Sequence, residues 1–177
     1  MWLITQSLRK LVFSGLFSAI ICAATLIVQI PAPMNGYLNL GDCFVLLSGF
    51  ALGPVYGFCA ASIGSALADI IAGYSLYAPA TFLIKGLVAV IAFYIFTAFA
   101  KIIPKHKIVG RIIGAVIAEL FMVFGYFVCA LILFREGLSA AVATIPGNLI
   151  QAIAAIVAAI PIYEMLKRVK YGKMFFN

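Results

Sequence analysis

From about Leu11 to Ile30 the chain carries no charged residue, and apolar runs of the same kind follow one another almost to the C-terminus. A helix of about 20 apolar residues is what it takes to cross the hydrocarbon core of a bilayer. Composition points the same way. The chain is 66% hydrophobic and 10% charged, with a mean hydropathy of +1.22. Soluble domains average about 45–50% apolar and about 25% charged. A soluble domain of this length has no interior large enough for so much apolar material. At about 30 residues per span with its loop, 177 residues accommodate six spans. The expected fold is an all-α integral membrane protein, organised as one six-helix unit over residues 1–177. No length remains for a nucleotide-binding or catalytic domain. A membrane β-barrel requires stretches of about ten residues that alternate polar and apolar. The runs here are continuous and rich in Ala, Ile and Leu, which excludes it.

Helix breakers divide the runs. The first span is expected over about Leu11–Ile30; it is longer than a signal-peptide core and lacks a small-residue cleavage site. Pro31, Pro33, Asn35 and Gly36 form a loop. A second run covers about Leu40–Leu52, is turned by Gly53, Pro54 and Gly57, and a third continues to about Ala72. Gly73 to Pro79 is a second loop. The fourth, fifth and sixth spans are expected over about Thr81–Ala100, Arg111–Phe134 and Asn148–Leu166.

The net charge of +7 reads as membrane topology rather than nucleic-acid binding, because basic residues collect at cytoplasmic membrane edges. With the N-terminus in the cytoplasm, the inside segments hold Arg9, Lys10, Lys101, Lys105, Lys107, Arg111, Lys167, Arg168, Lys170 and Lys173, ten of the twelve basic residues. Only Lys85, within the fourth span, and Arg135, in an outer loop beside Glu136, stand apart. Both termini are therefore expected in the cytoplasm. His106 falls in the basic inside loop, where it is solvated.

Polar residues are expensive in a bilayer and therefore informative. In this orientation Tyr37, Asn39, Asp42, Asp69, Tyr74, Tyr77, Lys85, Asn148 and Gln151 converge on one level near the outer face. Aromatic faces with a few hydrogen-bonding groups describe a small-molecule site open to the outside. Asn148 and Gln151, three apart, share a helix face. Ser62, Ser65 and Asp69 form one stripe. Met122 and Tyr126 share a face of the fifth span, with Glu119 one turn deeper. Bland readings stand beside these. Lys85 pairs with Asp69 only to neutralise two buried charges, Asn148 caps the sixth helix behind Pro146 and Gly147, and the tyrosines belong to an interfacial belt. On the first span Gly15, Ala19 and Ala23 recur every four residues, a spacing that lets another helix approach closely, whether a partner or a neighbouring span.

Several chemistries are excluded by the motifs. There is no GxxxxGK[ST], no HExxH, no GxSxG and no CxxC, and Cys22, Cys43, Cys59 and Cys129 sit singly in apolar stretches. A metal site or an enzyme is not expected. A self-contained secondary transporter would show inverted repeats and broken helices at midplane, whereas these polar groups gather near one face. A one-sided pocket suits a binding protein that needs other subunits to release its ligand inward. The rival readings are a stand-alone small transporter and a membrane assembly factor.

The stretches GYLNLGD (Gly36 to Asp42), LLSGFALGPVYG, SALADIIAGY (Ser65 to Tyr74), YAPATFLIKG (Tyr77 to Gly86) and PGNLIQ (Pro146 to Gln151) together resemble the substrate-binding S component of energy-coupling factor (ECF) vitamin transporters, over essentially the whole chain. The resemblance implies a bacterial cell-membrane protein that binds a vitamin or precursor from outside. It also implies assembly with a membrane T component and two cytoplasmic ATPases, which hydrolyse ATP while this chain holds no cofactor, and toppling of the S component to present its ligand inside. It assigns Ala19 and Ala23 to an AxxxA contact with the T component. Tyr37, Asn39, Tyr74 and Tyr77 are assigned to gating and lining loops, and Lys85, Asn148 and Gln151 to ligand-binding stretches. Tyrosines with Lys, Asn, Gln and Asp suit a flat heteroaromatic alcohol. The stretches look most like members assigned to hydroxymethylpyrimidine or pyridoxine-type substrates. Riboflavin is the next candidate, and Lys85 also suits a carboxylate such as pantothenate. Thiamine is disfavoured, because Trp2 is the only Trp and lies at the wrong face.

Overall fold

A computed structural model describes residues 2–32, 36–133 and 137–168, with side chains over 7–29, 39–132 and 137–168. Pro33, Asn35, Arg135, Glu136, Lys170 and Lys173, and the side chain of Tyr37, lie outside the described residues. Helix α1 (Trp2–Ile27) leads into two short strands, β1 (Ile30–Ala32) and β2 (Gly36–Leu38). They pair antiparallel with Pro31 opposite Tyr37. Then come α2 (Gly41–Leu52), α3 (Pro54–Ile71), α4 (Ala78–Ile102), a single 3-10 turn (Pro104–His106), α5 (Lys107–Val128) and α6 (Leu138–Arg168).

The strand pair qualifies the all-α expectation. The described residues hold six α-helices, the number expected. Among the described residues, five helical stretches are long and apolar enough to cross a membrane, whereas α2 has 12 residues. At 1.5 Å per residue, α2 reaches only about 18 Å. It is instead the innermost element: it packs against α1, α3, α4 and α6, and ten of its residues are buried. The turn from α2 to α3 is made by Gly53 at φ +84°, and Pro54 then opens α3 without needing an amide partner.

The sixth helix differs most from expectation. Pro146 and Gly147 read as breakers, but α6 begins at Leu138 and carries Pro146 and Pro161 inside it. Membrane helices tolerate internal proline because neighbouring helices re-satisfy the freed backbone groups. Asn148 therefore lies inside a helix and does not cap one. At the end of α5 the backbone widens into a π-helical stretch, Cys129–Leu133.

Packing relies on small residues. Val88, Ala89 and Ala92 of α4 meet Val45, Leu46 and Leu47 of α2 in a core that also takes Ala115 and Ala118 of α5 and Ala155 and Ala159 of α6. Gly49 shows why. A Cβ there would lie 2.4 Å from the Ala89 carbonyl oxygen. Gly49→Ala should therefore destabilise the protein by about 1–3 kcal/mol, despite alanine's better helix propensity. At Gly15 of α1 a Cβ meets nothing within 4 Å. Gly15→Ala should leave thermal unfolding in detergent unchanged, and equal melting points for the two variants would contradict this packing.

Candidate ligand site

The chain approaches α2 through Asn39, whose side-chain oxygen accepts the Gly41 N–H at 2.9 Å and so fixes the entry into the helix. The Asn39 N–H donates to Gln151 Oε1 at 3.0 Å, and its Nδ2 donates to the same oxygen at 3.4 Å. Gln151 Nε2 donates in turn to Asp42 Oδ2 at 2.5 Å. Asp42 sits in the first turn of α2, where the helix dipole favours a negative charge. Lys85, two turns into α4, donates to both of its oxygens, at 2.6 and 2.8 Å. The Lys85 ammonium also lies 5.2 Å from the Tyr126 ring centroid, and the Tyr126 hydroxyl bonds Thr81 Oγ1 at 3.1 Å. One continuous polar network thus joins α2, α4, α5 and α6 in an apolar interior. Asp42, Lys85 and Gln151 are each at most 4% exposed.

The network brings together Asn39, Asp42, Lys85, Tyr126 and Gln151 among the residues singled out from the sequence. It corrects the pairing of Lys85: its carboxylate is Asp42, not Asp69. Asp69 lies in the last turn of α3, is buried, and its carbonyl accepts the Tyr74 N–H at 2.7 Å. Lys85 projects from α4 toward α2, the helix that fills the centre. Tyr74 and Tyr77, half-buried in the loop from α3 to α4, meet edge to face with centroids 6.4 Å apart. Asn148 is half-buried one turn before Gln151, and Met122 is fully buried in the core on α5. Tyr37 belongs to β2, opposite Pro31.

Gly15, Ala19 and Ala23 lie on the exposed face of α1, whereas Ser14, Ser18, Ile21 and Thr25 form its buried face. Ser14 Oγ donates to the Tyr56 carbonyl at 2.9 Å. The small-residue stripe is therefore not packed within this chain.

Arg111 was missed. It reads as an edge charge, yet it is 0% exposed. Its guanidinium contacts Glu164 and lies 4.1 Å from the Tyr163 ring centroid and 5.0 Å from that of Phe96. The sequence signal was Glu164, a lone acid among the basic residues near the chain's end. Fifteen residues separate Arg111 from Tyr126 along α5, about 22 Å, so the two charged clusters occupy opposite ends of the bundle.

The family model for the "ECF-type riboflavin transporter, S component" matches residues 5–168. This chain belongs to the S components of ECF-type transporters. It is thus a multi-pass membrane protein of a transporter family. This S component is 36% identical over 150 residues to an "Uncharacterized protein in gap 3'region" of Pyrococcus woesei, covering 84% of this chain and 95% of that one. Its fold matches that in "Structure and mechanism of the S component of a bacterial ECF transporter" with a TM-score of 0.73, over 90% of this chain and 96% of the other, at 24% identity.

Removing one member of a buried ion pair leaves an uncompensated charge, and that costs about 3–5 kcal/mol. Asp42→Ala and Lys85→Met should each destabilise the S component by that order. The double variant Asp42→Leu with Lys85→Met should recover most of the loss. Additive losses in thermal unfolding would mean that the two charges are not coupled.

Proposed function

We propose that this S component binds a small heteroaromatic vitamin or precursor, of the hydroxymethylpyrimidine or pyridoxine type, with high affinity from the outer face. Tyr37, Asn39, Asp69, Tyr74, Tyr77, Lys85, Met122, Tyr126, Asn148 and Gln151 form its site. The observation that carries this reading is the buried network of Asn39, Gln151, Asp42, Lys85 and Tyr126. Polar groups of this kind are retained inside a membrane protein chiefly where function needs them. The half-buried Tyr74 and Tyr77 pair supplies aromatic faces for a flat ring.

In this reading residues 1–177 act as one unit in the plasma membrane of a bacterial cell, with both termini in the cytoplasm. Delivery inward requires a T component and two cytoplasmic ATPases. The exposed stripe of Gly15, Ala19 and Ala23 on α1 is the surface offered to the T component. Riboflavin is the second reading, favoured by the description of the matching family.

The protein purified from its host membrane should carry one heterocyclic vitamin or precursor identifiable by mass spectrometry. Asn148→Ala should weaken its binding at least tenfold, about 1.4 kcal/mol. Ala19→Trp should abolish assembly with a T component while leaving ligand binding intact. Ion-gradient-driven uptake by the chain reconstituted alone would overturn the assignment in favour of a stand-alone transporter.

A further inference from the structure

Among the residues of the proposed site, most hydrogen-bonding capacity is already taken within the protein. Asp42 accepts two bonds from Lys85 and one from Gln151, and Gln151 accepts twice from Asn39. The acid that stands out is Glu119, in the middle of α5. It is 1% exposed, and among the described residues neither of its carboxylate oxygens has a hydrogen-bond partner. It lies within electrostatic reach of Asp42 and Lys85. It shares a helix face with Met122 and Tyr126, at i, i+3 and i+7. A buried carboxylate with no donor is strongly unfavourable. Lys85 is already committed to Asp42 by two hydrogen bonds, so among the described residues Glu119 has no cation of its own.

We propose that Glu119 is the residue that selects the ligand of this S component, by pairing its carboxyl group with one edge of a heteroaromatic ring that sets an exocyclic amine beside a ring nitrogen. The inference rests on the ligand-binding reading above. The matching chemistry is an amidine-like edge, as an aminopyrimidine offers: the exocyclic amine donates to one carboxyl oxygen, and the carboxyl proton is shared between the other oxygen and the ring nitrogen. A carboxyl group meets such an edge with both oxygens, and charge assistance strengthens both bonds. A flavin edge sets carbonyl oxygens beside its N–H, and these repel a carboxylate. The network of Asp42, Lys85 and Gln151 then acts as the rigid wall against which Glu119 reads the ring.

The test is calorimetric titration of the full chain in lipid nanodiscs with three probes: hydroxymethylpyrimidine bearing its exocyclic amine, the same ring lacking the amine, and riboflavin. Wild-type protein should bind the aminopyrimidine at least tenfold more tightly than either other probe. Glu119→Gln, nearly isosteric, should lose at least tenfold in affinity for the aminopyrimidine and little for the amine-free ring. The amine-free comparison needs no variant and so stands even where Glu119→Gln fails to fold. Equal wild-type affinity with and without the amine, or an unchanged Kd in a folded Glu119→Gln, would overturn the role of Glu119 while leaving the vitamin-binding reading in place. Tight binding of riboflavin alone would overturn the aminopyrimidine class, and binding of none of the three would overturn this inference while leaving a pyridoxine-type ligand as the reading above.

Discussion

The ion pair between Asp42 and Lys85 is the interaction on which the arrangement of this bundle depends. Both groups are buried, and neither could remain charged in an apolar interior without the other. Their two short hydrogen bonds fix the first turn of α2 against the second turn of α4. Gln151 adds α6 to the same carboxylate, and Asn39 ties the incoming chain to Gln151. Among helices that gain little from hydrophobic association in lipid, such directional contacts decide register where apolar packing leaves it loose.

Around that contact the packing is made of small residues. Alanines and glycines on α2, α4, α5 and α6 let backbones approach until atoms touch, as Gly49 does against Ala89. Close approach explains how a 12-residue helix comes to sit at the centre: ten of its residues are buried, and four longer helices pack around it. The opposite end of the bundle has its own device. Arg111 is held between Tyr163 and Phe96 and meets Glu164, which ties α4, α5 and α6 together. The space between these two polar centres holds Glu119.

Family membership fixes what kind of machine this chain belongs to, and the buried network shows which of its polar groups are engaged within the chain. Groups that look from the sequence like ligand contacts, notably Lys85 and Gln151, both donate to Asp42. They contribute shape and rigidity, and their removal acts on the fold as well as on the ligand. The half-buried Tyr74 and Tyr77 of the turn between α3 and α4 pack edge to face on each other.

The sequence by itself determined the membrane setting, the number of helices and most of their positions, because uninterrupted apolar runs admit one solution in lipid. It also marked Asn39, Lys85, Tyr126 and Gln151, since polar residues in such runs are rare. What it could not determine was who meets whom. Asp42 and Asp69 are equivalent as residues and both fall at the same level, yet only the packing of α2 at the centre brings Asp42 to Lys85. Arg111 reads as an edge charge, and only the aromatic walls of Phe96 and Tyr163 turn it inward. The start of α6 was hidden because Pro146 and Gly147 break helices in water, whereas a helix in lipid keeps its backbone bonded and continues through them. Spacing along a chain fixes which residues share a face; the partner across that face is chosen by tertiary packing, where long-range contacts and desolvation decide.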